Sequence, residues 1–72
     1  MNIDTEQGMK DAVAWQEAHI AFVKDGGTWI VPRSNTFITI NHKDKRATFV
    51  SSANPEPTIV RVFKAMGWEV DE

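Results

Sequence analysis

The sequence predicts a small α+β domain built around the stretch from Thr28 to Ser52. Three short runs in this stretch are rich in β-branched and aromatic residues, which favours strands. Polar residues typical of turns separate the runs. Helical periodicity with capping residues occurs on both sides. The predicted order is α-β-β-β-α: a three-stranded antiparallel meander with both helices packed on one face of the sheet. The 72 residues are expected to form one domain, residues 1–72.

The strand signals lie at residues 28–33, 36–41 and 46–51, with Ser34-Asn35 as the first predicted loop. This loop places Val31 opposite Ile38, and two residues further along Trp29 opposite Ile40. A loop centred on Lys43-Asp44 places the second and third strands so that Ile38 faces Phe49, Ile40 faces Ala47 and Thr39 faces Thr48. Because side chains alternate between the two faces of a sheet, both hairpins predict the same inner face. It contains Trp29, Val31, Ile38, Ile40, Ala47 and Phe49.

The first helix is predicted to begin with Asp4 as its N-cap and to run to about Lys24. Gly26 or Gly27 would provide the left-handed residue that ends it. Its apolar face follows the helical period. That face comprises Met9, Ala12, Val13, Ile20 and Val23, widened by Trp15 and Phe22.

The second helix is predicted from about Pro55 to Met66, with Asn54 as its cap and Gly67 as its end. Proline is tolerated in the first turn, because the N–H groups there lack helical partners. Trp68 is expected to fold back on this helix. Residues 68–70 are candidates for a short final strand.

Composition narrows the class of protein. The chain has no cysteine, so disulfides and thiolate metal sites are excluded. No apolar run approaches about 18 residues, so no membrane span is expected. The first residues, Met1-Asn2-Ile3-Asp4, lack the basic start and apolar run of a signal peptide. We therefore expect a cytoplasmic protein.

The residues that most often carry catalysis have no catalytic context here. His19 is expected to pack at the edge of the first helix's apolar face, and His42 to lie in a solvated turn. Gly26-Gly27 precedes a strand, whereas a phosphate-binding loop precedes a helix. Two histidines without cysteine or clustered acids give no metal site. The sequence predicts no enzyme, no metal and no cofactor.

A basic turn offers one hypothesis. His42, Lys43, Lys45 and Arg46 are close together in a chain of net charge −2, and such a cluster can contact phosphate. The order helix–three strands–helix is similar to that of the double-stranded-RNA-binding domain, and this resemblance implies nucleic-acid contact. The resemblance is of topology alone, because the family's Gly-rich strand turn and Lys-rich helix start are missing. Nucleic-acid binding through the turn is kept as an alternative function.

The outer face of the sheet offers another hypothesis. Ile30, Pro32, Phe37 and Val50 collect at one end of it, and they are exposed if both helices cover the inner face. Exposed apolar clusters often mark partner sites. The opposite arrangement, with a helix or the tail covering this face, would bury them.

We therefore expect a non-enzymatic protein-binding domain, an inhibitor or adaptor of a larger enzyme or complex, whose partner the sequence does not identify. In size and style it is similar to the small accessory proteins of phages and mobile elements. Apposition of two sheet faces in a homodimer is a further alternative, so the chain is expected to be a monomer or a homodimer.

Overall fold

The computed structural model describes residues 3–50 and 57–71, which form an α+β domain with two helices and a four-stranded mixed sheet. The predictions that Asn54 caps the second helix and that Pro55 begins it lie outside the described residues. The elements in chain order are α1 (Glu6–Ile20), β1 (Gly27–Ile30), β2 (Phe37–Asn41), β3 (Arg46–Phe49), α2 (Pro57–Ala65) and β4 (Glu69–Asp71).

The sheet has the order β1-β2-β3-β4. The first three strands form the predicted antiparallel meander, and the candidate final strand at residues 68–70 forms as β4, Glu69–Asp71. The sheet is therefore four-stranded and mixed rather than three-stranded and wholly antiparallel. β4 lies parallel to β3, with Arg46 beside Glu69 and Ala47 beside Val70. A parallel neighbour needs a crossover connection, and α2 is part of that connection. Val70 thereby joins Ala47 on the inner face, where it packs against the core.

The register of the second hairpin is as predicted, with Ile38 opposite Phe49 and Thr39 opposite Thr48. The predicted register of the first hairpin is wrong by two residues, because Trp29 lies opposite Ile38 rather than Ile40. The Val31 N–H donates to the Thr36 carbonyl oxygen at 3.1 Å, so the loop contains four residues. A shift of two keeps every side chain on its predicted face.

Both ends of the first helix differ from the prediction. Thr5, rather than Asp4, is the N-cap, and its hydroxyl accepts the Gly8 N–H at 2.9 Å. The helix ends at Ile20 instead of about Lys24. The residues after it form turns, and the chain reverses at Gly26, whose φ is +80°.

The second helix ends as the sequence indicates. Gly67 has a φ of +85°, which a side chain would make costly. The Trp68 N–H donates to the Phe63 carbonyl at 3.0 Å, and the Gly67 N–H donates to the Lys64 carbonyl at 3.0 Å. This pair of bonds is a Schellman motif. The Trp68 ring folds back onto Phe63, with ring centroids 5.4 Å apart.

The larger of two hydrophobic clusters in the described residues joins both helices to the inner face of the sheet. All six predicted inner-face residues are buried, and they form a cluster with Ile20 of α1 and with residues of α2. The α2 members are Ile59, Val60 and Phe63. Both helices therefore contact the same face. Within the described residues, neither helix is long and apolar enough to cross a membrane.

Candidate functional site

The outer face of the sheet carries an exposed apolar cluster. Ile30 is 60% exposed and Val50 is 59% exposed, while Phe37 between them is half-buried. Ile30 is paired with Phe37 across β1 and β2, and the Val50 N–H donates to the Phe37 carbonyl at 2.9 Å. These three residues, named the outer patch below, are therefore neighbours on one face.

Pro32 was predicted to belong to the same cluster as a strand residue. The structure places it beyond the end of β1, in the four-residue loop that includes Arg33. Arg33 has a φ of +64°, so the chain turns sharply there. Pro32 is exposed beside Ile30, and both line a shallow surface depression. It lies next to the outer patch without pairing with β2.

The other half of the outer face is charged. Arg46 donates through Nη1 to both carboxylate oxygens of Asp71 at 2.9 and 2.8 Å, and through Nη2 to Glu69 Oε2 at 2.6 Å. The hydrogen bond to Asp71, that residue's charge and then the charge of Glu69 raise the pKa of the Arg46 guanidinium above its ordinary value. These ion pairs join β4 to β3 on the side away from the helices, because β4 places Glu69 and Asp71 beside Arg46.

The four residues of the predicted basic cluster lie in different surroundings in the structure. Arg46 faces the acids of β4, whereas Lys43 and Lys45 are exposed at the hairpin tip. His42 is not a solvated loop residue as predicted. Its Nε2 donates to the Val23 carbonyl oxygen at 2.7 Å, and its ring meets Trp68 edge-on at 5.8 Å. Nucleic-acid binding by this turn stays a prediction, with two exposed lysines as its strongest basis.

The first helix carries features that periodicity misassigned. Phe22, predicted to widen the apolar face, is 93% exposed. His19 is also exposed, and its Nδ1 donates to the Trp15 carbonyl at 2.7 Å while its ring lies 4.1 Å from the Trp15 ring. The apolar periodicity gave no signal for Gln16, which is fully buried. Its Nε2 donates to Met66 Sδ at 3.6 Å.

A cavity of about 160 Å³ lies between the helices. Its walls are apolar apart from the residues Gln16 and Thr58, and the other lining residues are Ile3, Ala12, Trp15, Ile59 and Val62. Within residues 3–50 and 57–71, no three metal-ligating side chains come together. The sequence-predicted surfaces that the structure leaves exposed are therefore the outer patch and the lysines of the hairpin tip.

Comparison of the chain with protein-family models, with curated proteins and with solved structures finds no match.

Proposed function

We propose that this chain is a small protein-binding domain that contacts its partner through the outer patch and acts as an inhibitor or adaptor. The observation that carries the proposal is the exposure of Ile30 and Val50 on either side of Phe37. A domain of this size needs most of its large apolar side chains for its core. Large apolar side chains that remain exposed therefore suggest a binding surface.

The layout of the outer face supports this proposal. The apolar end holds the outer patch, and the opposite end holds the ion pairs of Arg46 with Glu69 and Asp71. Protein interfaces commonly combine an apolar centre with a polar rim. Phe37 is the aromatic side chain of the patch, and aromatic residues are enriched among the few side chains that dominate binding energy. We therefore assign Phe37 the role of central anchor.

Binding by a purified partner tests this function. The immobilised chain would capture partners from a nuclease-treated extract of the cells that produce it, and the captured protein would then be purified. Calorimetry would compare wild type with Val50→Glu and Phe37→Glu. A carboxylate buried in the interface without a partner should weaken binding at least about tenfold, or roughly 1.4 kcal/mol.

Ala14→Glu provides the matched control, because Ala14 is exposed on α1 and lies outside the outer face. It adds the same charge and should leave the affinity unchanged. Circular dichroism would verify that each variant is folded. Affinity equal to wild type for folded Val50→Glu and Phe37→Glu would contradict the proposed function.

A further inference from the structure

We infer that the open edge of β1 is a self-association site, at which β1 of a second copy adds antiparallel and extends the sheet across a two-fold axis. The inference concerns the strand edge and not the outer patch, so it stands or falls independently of the proposed function. It rests on the hydrogen-bonding groups of the edge, on the charges at its two ends and on exposed aromatic side chains beside it.

Two residues of β1 have backbone hydrogen-bonding groups that do not pair with β2. The Val31 N–H points to β2, where it donates to Thr36, and Trp29 and Gly27 follow in the same phase. Because the pattern of an antiparallel ladder alternates, Thr28 and Ile30 point their N–H and C=O groups away from β2. In the part of the chain that the structure describes, no strand lies on that side of β1.

The stretch of β1 that can pair with another strand ends on both sides of Thr28 and Ile30. Pro32 has no N–H to donate. The Gly26 N–H already donates to the Ile40 carbonyl at 2.7 Å. An antiparallel copy that pairs Thr28 with Ile30 of the second copy, and Ile30 with Thr28, uses all the open groups in four hydrogen bonds. A two-fold axis at Trp29 relates the two copies, which is the self-complementary arrangement of a symmetric dimer.

The two edge strands of the sheet differ in the features that discourage pairing with a further strand. β4 is three residues long and carries Glu69 and Asp71, and charged side chains discourage pairing at an edge. β1 reads Gly-Thr-Trp-Ile and carries no charge, although its sequence favours strand formation. The uncharged edge is therefore the one suited to receive another strand.

Charges at the ends of β1 are complementary in this register. The pairing of Thr28 with Ile30 of the second copy brings Asp25 of one copy towards Arg33 of the other, and the two-fold axis repeats the contact. Both residues are exposed. The Asp25 carboxylate accepts one backbone N–H, from Lys43 at 3.3 Å, through Oδ1. The arrangement thus supplies two ion pairs between copies, which favours a second copy over an unrelated peptide.

An aromatic row on α1, formed by Trp15 and His19, lies on the inner side of the same strand. Trp15 lies over β1, with its ring 6.2 Å from Trp29, and His19 stacks on Trp15. Phe22 lies one residue past the C-cap, where the chain has left the helix, and is 93% exposed. A second copy related by the two-fold axis would bring its own aromatic row to the same side of the extended sheet.

Charge reversal tests the proposed register. The mass of the full chain would be measured by light scattering over a concentration series, with melting curves to verify folding. Wild type should reach twice the monomer mass. Asp25→Arg and Arg33→Asp should each weaken the dimer at least about tenfold, because each places two like-charge contacts at the interface. Asp tolerates the left-handed conformation of residue 33.

Mixing the two variants should restore dimers, because each contact then joins an arginine to an aspartate. A second pair of variants isolates the edge: Thr28→Lys should weaken the dimer, whereas Thr39→Lys adds the same charge one strand further in and should not. Wild type that stays monomeric throughout, or mixed variants that stay monomeric, would overturn the inference. So would a dimer that Val50→Glu dissociates and Asp25→Arg does not, because that result places the contact on the sheet faces.

Discussion

Gln16 is the position where one substitution should stabilise the fold. Its side chain is fully buried, and its Oε1 has no hydrogen-bond partner within the described residues. Among the described residues its Nε2 donates only to the thioether of Met66, at 3.6 Å, and sulfur is a weak acceptor. Leaving a buried polar atom unsatisfied costs about 1–3 kcal/mol. Gln16→Met removes both polar atoms while it keeps an unbranched side chain of similar length.

The expected gain is therefore about 1–3 kcal/mol in the free energy of unfolding. For a domain of this size each kcal/mol raises the melting temperature by about 4–8 °C. Glutamine and methionine have similar helix propensities, so the local helix should not change. Urea unfolding followed by tryptophan fluorescence, together with calorimetric melting, would measure both quantities.

Gln7→Met is the control, because Gln7 lies in the same helix and is exposed. The same chemical change there should alter stability by no more than about 0.5 kcal/mol. A Gln16→Met variant less stable than wild type by 1 kcal/mol or more, on the scale of a net hydrogen bond, would refute the reasoning. It would mean that the Gln16 amide forms a stabilising interaction in the core.

Two further predictions concern the sheet. Phe49→Ala should lower the free energy of unfolding by roughly 3–5 kcal/mol, because Phe49 is buried on the inner face. Thr48→Ala, on the outer face, should lower it much less. Urea unfolding of both variants checks this, and equal losses of stability would contradict the register. Arg46→Met should change the stability of the fold little, since its ion pairs are exposed. The Glu69 amide, which donates to the Lys45 carbonyl at 2.9 Å, should nevertheless exchange its hydrogen faster. Unchanged exchange would mean that the ion pairs do not hold β4.

Alternation was a sufficient guide to the faces of the sheet but not to its first register. A slip of one residue would move Trp29 to the wrong face, so the pattern excludes it. A slip of two leaves Trp29 on the inner face, so the pattern cannot distinguish it. Loop geometry decides instead, and the left-handed Arg33 after Pro32 gives no clear sequence signal.

The fourth strand depends on contacts distant in sequence. Glu69–Asp71 is three residues long, with one apolar side chain between two acids. Its strand conformation follows from pairing with β3 and from the ion pairs with Arg46. Arg46 precedes Glu69 by 23 residues and Asp71 by 25 residues. Such contacts have no local signature, so the sequence indicates residues 68–70 as a candidate strand but not its parallel pairing with β3.

The outer patch could be predicted in part, since Ile30, Phe37 and Val50 lie together as the alternation indicated. The exposure of Phe22 could not be predicted. Phe22 fits the apolar period of α1, but the helix ends at Ile20 and the chain turns before Phe22 could pack against the sheet. Periodicity assumes a continuous helix, so it fails at residues beyond the true end.

If the outer patch binds the partner, it is open in the free chain and covered in the complex. Methyl NMR with a soluble paramagnetic relaxation agent tests it directly, by comparing Val50 with Ile38, which is fully buried. Val50 should relax strongly in the free protein and become protected when the purified partner is added, while Ile38 stays protected throughout. Protection of Val50 in the free protein, or its continued exposure in the complex, would mean that the outer patch is not the surface that binds the partner.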